Sequence, residues 1–197
     1  MKRQTIVLDA NILFSVPLCD FFMHLALTGV VRVRWSQRIE DEWLRNVIEK
    51  RPDLNPDSIR RRALMMNQAI PDAIISDFER LEASLSLPHP SDNHVLAAAI
   101  VARADAIITK NLKHFPATAL APYSIEALHP DEFTFHLLTL EPRPVIQAIR
   151  RQQANLSNPP KTISEVLDTL EKQEMPQTVD WLRGAFDEDD WGGGIRA

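Results

Sequence analysis

The chain has 197 residues, 45% of them hydrophobic, which is enough for one substantial core with a smaller appendage beside it. Its net charge of −5, from 22 basic and 27 acidic residues, excludes a protein that holds nucleic acid mainly through bulk positive charge. The single cysteine, Cys19, excludes a disulfide framework and a cysteine-based zinc site, and it suits a reducing cytosol. Cys19 lies in an apolar helical run, so we expect a structural role for it.

The sequence shows no pattern typical of a targeting or membrane segment. The apolar run at residues 6–8 ends at Asp9, which is far too short for the core of a signal peptide. No segment approaches the roughly 18 uninterrupted apolar residues that a membrane span requires. We therefore expect a soluble, cytoplasmic protein.

Basic side chains are grouped at three places, each of which is either a nucleic-acid contact or an ordinary solvated face. The groups are Arg32, Arg34 and Arg38, then Arg60, Arg61 and Arg62, then Lys110, Lys113 and His114. For the second group the solvated face is the favoured interpretation.

The N-terminal part of the chain alternates between strand and helix patterns. Residues 5–8 are β-branched or apolar without alternation, which predicts a strand covered on both faces. Residues 12–27 predict a buried helix that ends at a glycine. A second strand is predicted over residues 30–35, and Ser36 is then a good N-cap for a helix whose apolar residues recur every four positions.

The alternation continues to residue 141. The further predicted elements are a helix over 56–69, a central helix from Ser91 or Asp92 to 102, strands over 106–109 and 123–127, and a helix over 130–140. The central helix is apolar on all sides, so we expect it to be buried. Residues 70–91 contain three prolines and give no clear prediction. The series predicts a three-layer α/β/α sandwich with a central parallel sheet over residues 1–141.

Beyond Pro142 only helical patterns remain. Three short helices are predicted over 145–153, 163–173 and 178–186, separated by prolines. They predict a small all-helical C-terminal domain over residues 142–197, which would dock through a modest hydrophobic contact. The acidic stretch that begins at Asp187 is expected to be a flexible, solvated tail.

Polar residues are found where predicted strands end or the central helix begins. Asp9 ends the first strand, Asp92 begins the central helix, and Asn111 follows the strand that ends at Thr109. In parallel sheets these positions meet at one edge. Carboxylates gathered there repel one another unless a cation binds, and hard oxygen ligands favour Mg²⁺ or Mn²⁺. Such metals suit the hydrolysis of phosphodiesters.

Three segments resemble the motifs of the PIN-domain family, and they occur in the family's order. They are TIVLDANILFS, WSQRIEDEW and SDNHVLAAAIVARADAIITKNLKHFP. The first two are weak signals when taken singly, but all three together are specific. The resemblance covers residues 4–135 and implies a metal-dependent ribonuclease of the VapC toxin type.

The resemblance also implies the site residues. Asp9, Glu42 and Asp92 match the family's first three acidic positions, which are catalytic and hold the metal. Asn111 falls at the family's fourth acidic position and is expected to belong to the catalytic site, although its neutral amide removes one negative charge and weakens the case for a second metal ion. Thr109 is expected to support the site.

Alternatives remain for several of these residues. Glu40 lies nearer the apolar arc of its helix than Glu42, although the family's spacing favours Glu42. Asn11 either orients the carboxylate of Asp9 or caps the first helix. His94 suggests a general base, but its position two residues after Asp92 favours a structural or peripheral role.

The resemblance further implies an RNA substrate, a small antitoxin protein as partner, and a homodimer. Three other functions are alternatives to it. A phosphohydrolase of the haloacid dehalogenase class needs an aspartate where this chain has Asn11. A flap-type DNA nuclease needs further acidic residues and a DNA-gripping helical element. A catalytically silent PIN scaffold that binds RNA or protein gains support from Asn111.

Overall fold

The structure is a computed structural model and describes residues 3–187. Its central sheet has the strand order β3-β2-β1-β4-β5, and all neighbouring strands are parallel. The strands are β1 (Gln4–Leu8), β2 (Val31–Ser36), β3 (Ile74–Ile75), β4 (Ala106–Ile108) and β5 (Glu126–Leu128). Helices cover the sheet, so the predicted α/β fold with a central parallel sheet is confirmed. The predicted acidic tail after Asp187 lies outside the described residues.

The helices connect the strands and then continue beyond the last one. In chain order they are α1 (Ala10–Phe14), α2 (Val16–Leu27), α3 (Gln37–Lys50), α4 (Pro56–Ala69), α5 (Glu79–Glu82), α6 (Asn93–Val101), α7 (Ala117–Leu120), α8 (Pro130–Leu140), α9 (Pro142–Asn155), α10 (Ile163–Glu171) and α11 (Pro176–Asp187). Short 3₁₀ turns occur at Pro90–Asp92, Leu112–His114 and Ala121–Tyr123. Of the helices within residues 3–187, none combines the length and apolar character needed to cross a membrane.

Strand β1 is central because its side chains are apolar on both faces. Ile6, Val7 and Leu8 are fully buried, and β1 pairs with β2 on one side and β4 on the other. Cys19 on α2 belongs to the same core, with its Sγ atom 3.7 Å from Sδ of Met66. The carboxyl ends of β1 and β4 therefore meet at the middle of one sheet edge.

Two predicted boundaries differ from the structure, and one strand lies where no element is predicted. The helix predicted over 12–27 is broken at Ser15, whose hydroxyl accepts from the amide of Leu18 and caps α2. The last strand begins only at Glu126, because Ser124 adopts a left-handed φ of 56°. Strand β3 falls in the region without a clear prediction, and its two residues are too few to show a period.

The C-terminal helices share the core of the sheet region, so their contact is larger than the modest docking predicted. Val145 and Ile149 of α9 are fully buried in the same continuous core as β1. On the polar side of this contact, Gln152 donates to the carbonyl of Pro17 over 3.0 Å. Arg151 donates to the carbonyl of Leu27 over 3.2 Å. The domain boundary at residue 141 remains a prediction.

Candidate active site

Asp9 lies at the carboxyl end of β1 and is almost completely buried. Its Oδ1 atom accepts a hydrogen bond of 2.6 Å from the amide of Ala10, at the start of α1. Its Oδ2 atom accepts from the hydroxyl of Thr109 over 2.7 Å and from the side-chain amide of Asn11. Asp9 is therefore both the cap of a short helix and the centre of a polar cluster.

The loop after β4 is bonded to the loop after β1 through this cluster. The Thr109 hydroxyl accepts from Nδ2 of Asn11 and from the amide of Asn111, each over 3.0 Å. Oδ1 of Asn11 accepts from the amide of Lys110 over 3.1 Å. Asn11 thus orients the carboxylate of Asp9, which is one of the two roles predicted for it.

Asn111 lies beside Thr109, and its side chain is exposed.

Glu42 reaches the site from α3 and contacts the central helix. Its Oε2 atom lies 3.3 Å from Nε2 of His94, a residue of α6 that is buried. The carboxylate of Glu42 remains partly exposed. His94, which the sequence marked as structural or peripheral, therefore holds one of the predicted site carboxylates.

Glu40 has a different environment, although it lies only two residues before Glu42. It is buried and accepts hydrogen bonds from Nε1 of Trp35 over 3.2 Å and from Nδ2 of Asn67 over 2.9 Å. These donors satisfy its carboxylate inside the core. The environment of Glu40 is that of a structural residue.

Asp92 ends the 3₁₀ turn before α6, and its carboxylate contacts a histidine from the loop after β4. Oδ2 of Asp92 lies 2.8 Å from Nδ1 of His114. The His114 ring stacks on the ring of His89, with 3.8 Å between centroids. Among the described residues, the Asp92 side chain makes no capping bond to α6. Helix capping therefore does not account for the aspartate at this position.

The other two predicted carboxylates act electrostatically on Asp9. The pKa of Asp9 is raised from 3.8 to about 6, chiefly because burial penalises its charged form. The negative charges of Glu42 and Asp92 add to this rise, whereas hydrogen bonds from Thr109 and the amide of Ala10 oppose it. A cation near Asp9 would offset both the burial and the repulsion.

The donor chemistry fits a hard divalent cation that is held partly through water. The acidic groups supply only oxygen donors, which Mg²⁺ and Mn²⁺ prefer. Within residues 3–187, no three His, Cys, Asp or Glu side chains lie close enough together to enclose a metal ion directly. Mg²⁺ usually keeps several of its waters, so contacts to some of the carboxylates through water are compatible with this spacing.

Neither histidine contact could be identified from sequence position. Spacing along α6 indicates that the side chains of His94 and Asp92 point to different sides of the helix. It does not show which neighbouring helix His94 contacts. His114 was notable only as a member of a basic cluster. A cavity of about 940 Å³ beside β5, lined by residues such as Phe115 and Leu120, does not include the acidic cluster.

Comparisons with known proteins agree with this architecture. The sequence profile of the PIN domain matches residues 5–113, and that of the VapC50 C-terminal domain matches residues 130–184. A protein of Mycobacterium tuberculosis named "Putative ribonuclease VapC50" is 46% identical over 98 residues, which are 50% of this chain and 57% of that protein. The match thus spans little more than half of the relative's length. No solved structure matches the chain significantly.

Proposed function

The chain belongs to the PIN-domain family, and from this membership we propose that it is a divalent-metal-dependent endoribonuclease of the VapC toxin type. The observation that carries the proposal is the buried carboxylate of Asp9, held by Thr109 and Asn11 at the edge where β1 and β4 end, on which the charges of Glu42 and Asp92 also act. Without a cation, buried and neighbouring acidic groups destabilise a fold through desolvation and repulsion. They suit a metal site that handles phosphodiesters.

In the proposed site, Asp9, Glu42 and Asp92 hold Mg²⁺ or Mn²⁺ directly or through water, and Asn111 completes the shell. When bound, such an ion lowers the pKa of a water molecule and stabilises negative charge on the leaving oxygen. Asp9 supplies the most deeply buried oxygen donors.

The surrounding residues hold the carboxylates in place. Thr109 and Asn11 fix the Oδ2 atom of Asp9, so that its carboxylate does not rotate freely. His94 contacts the carboxylate of Glu42, and His114 contacts that of Asp92. Among these groups, no side chain is needed as a covalent nucleophile.

The substrate and partners also belong to the proposal. We infer an RNA substrate, a small antitoxin protein that holds the nuclease inactive, a homodimer, and a cytoplasmic location. Residues 1–141 would form the nuclease domain, and residues 142–197 a helical domain that supplies no metal ligand. The name of the relative, which refers to a ribonuclease, supports the substrate class.

The direct test is cleavage of pooled cellular RNA by the purified chain with Mg²⁺, with Mn²⁺ and with EDTA. We expect cleavage with at least one metal, no cleavage with EDTA, and none by the Asp9→Asn variant under any condition. Equal activity of that variant and the parent would show that a contaminant cleaves the RNA or that the assigned site is wrong.

Asn111 favours a second candidate, a PIN scaffold that binds RNA without cleaving it. The neutral amide lowers the negative charge at the site by one, which weakens metal binding. Calorimetry of Mn²⁺ binding to the parent and to Asn111→Asp separates the two candidates. A folded parent chain that binds RNA but neither binds Mn²⁺ nor cleaves would establish the scaffold.

A further inference from the structure

The turn between α10 and α11 lies against the loops that form the candidate active site. Oε1 of Gln173 accepts a hydrogen bond of 2.6 Å from the hydroxyl of Ser15, just beyond α1. Oε2 of Glu174 lies 3.1 Å from Nζ of Lys110. Lys110 follows Thr109, and its backbone amide is bonded to Asn11. The C-terminal helices therefore place the carboxylate of Glu174 beside the loop after β4, next to the acidic cluster.

The position of this turn is fixed by a buried aspartate. Asp131, in the first turn of α8, accepts hydrogen bonds from the backbone amides of Gln177 over 3.1 Å and Thr178 over 2.8 Å. These amides begin α11, so a carboxylate there also interacts favourably with the helix dipole. Because α8 follows β5 directly, these hydrogen bonds to Asp131 hold the turn close to the end of the sheet near the candidate site.

Glu174 occupies a backbone conformation that usually selects another residue. Its φ of 68° is left-handed, a conformation in which glycine or asparagine is favoured. Glutamate at this position costs backbone energy. The side chain of Glu174, however, makes the contact with Lys110.

The ion pair itself adds little stability and is easily exchanged. The side chain of Glu174 is 68% exposed, whereas that of Lys110 is 24% exposed. Ion pairs with a solvated partner contribute little to stability. Another anion can therefore replace the Glu174 carboxylate at small cost, and an RNA phosphate is the anion that the proposed function brings to this place.

We propose that Lys110 binds a phosphate that flanks the cleaved bond of RNA, and that Glu174 is a built-in competitor for Lys110. Lys110 makes the phosphate contact, and the C-terminal helices weaken RNA binding through one carboxylate. This inference rests on the proposed ribonuclease function and deepens it, because it assigns the helical segment a part in substrate binding.

The test is a double-mutant cycle on RNA binding by full-length protein that carries Asp9→Asn, so that cleavage does not interfere. Fluorescence anisotropy of a labelled oligouridylate gives the affinity. We expect Glu174→Gln to tighten binding about fivefold and Lys110→Met to weaken it about fivefold, as for one exposed ionic contact. With Lys110→Met already present, Glu174→Gln should have no further effect.

Three controls accompany the cycle. Glu171→Gln makes the same charge change three residues earlier, where the carboxylate pairs with Arg183, and it should leave affinity unchanged. Lys110→Arg keeps the charge and should retain binding. Lys110→Met should reduce the slope of log affinity against log salt by about 0.7, the value for one phosphate contact on a single strand. Circular dichroism checks that each variant is folded.

Several results would overturn the inference. If Glu174→Gln tightens binding equally with and without Lys110, its charge acts generally and not through the pair. Unchanged affinity in Lys110→Met, or no measurable binding by any variant, excludes the phosphate contact. Cleavage by the unmodified chain is measured separately. Its absence would defeat the ribonuclease proposal even where the binding cycle shows coupling.

Discussion

The hydroxyl of Thr109 donates a hydrogen bond of 2.7 Å to Oδ2 of Asp9, and so joins the ends of two neighbouring strands. This bond lowers the pKa of Asp9 and favours its ionised form. Thr109→Val removes the hydroxyl but keeps the shape. We expect the pKa of Asp9 to rise beyond about 6 and Mn²⁺ binding at neutral pH to weaken, as measured by carboxyl NMR titration and calorimetry. Thr109→Ser, which keeps the donor, should resemble the parent, and equal effects of both substitutions would contradict this role.

Asp9→Asn should stabilise the metal-free protein at neutral pH. Because the folded pKa of Asp9, about 6, lies above the ordinary value of 3.8, its stabilising effect is fully present below pH 3.8 and is lost as pH rises through 6. The loss is about 3 kcal/mol at most. Denaturant unfolding with EDTA should therefore favour the variant near about pH 8, with the advantage shrinking towards about pH 4. A variant less stable than the parent at both pH values would show that the hydrogen bonds outweigh the buried charge.

The two glutamates of α3 should respond oppositely to neutralisation. Glu42→Gln is expected to remove RNA cleavage and to leave the free energy of unfolding nearly unchanged, because Glu42 is partly exposed. Glu40→Gln should keep cleavage but lower stability by about 1–3 kcal/mol, since it disturbs buried hydrogen bonds with Trp35 and Asn67. Cleavage assays and chemical denaturation of both variants measure the contrast. Loss of cleavage in folded Glu40→Gln alone would reassign the second acidic position.

Helix α9 should unfold together with the sheet region. Ile149 is fully buried in the shared core, so Ile149→Ala is expected to destabilise the whole chain by about 2–5 kcal/mol in one cooperative transition. Leu140→Ala, at a side chain that is 49% exposed, is the control and should have little effect. Two separate transitions in the Ile149 variant would show that the C-terminal helices fold as an independent domain. A chain ended after Leu140 should be less stable and less soluble than the full chain, because it exposes the face of α2 that α9 covers.

The features that the sequence predicts well are those set by local pattern. The apolar run before Asp9 marks a buried strand, and Asp92 and Thr109 fall at the same sheet edge because parallel topology brings strand ends together. Local pattern does not predict the break at Ser15, because apolar residues continue on both sides of it. Ser15 and the proline two residues later nevertheless carry the signal of a new helix start.

Other features depend on packing that no local pattern contains. The contact of His94 on α6 with Glu42 on α3 depends on how these two helices are placed in the fold. The contact of Glu174 with Lys110 depends on the hydrogen bond that holds the start of α11 to Asp131. The start of α11 lies far from β4 along the chain. Sequence position distinguished Glu42 from Glu40 by family spacing, whereas the structure distinguishes them by burial and hydrogen-bond donors.

Because Cys19 is buried, the rate at which its thiol reacts can serve as a probe of how often the fold opens. Burial raises the pKa of its thiol, so the reactive thiolate is scarce and shielded while α2 is packed against Met66. A thiol reagent can modify the chain, whose sequence contains no other cysteine, only when this region separates from the core. The labelling rate therefore reports how often the scaffold behind the acidic cluster opens. A ligand that binds only the closed scaffold should slow the labelling in proportion to its occupancy.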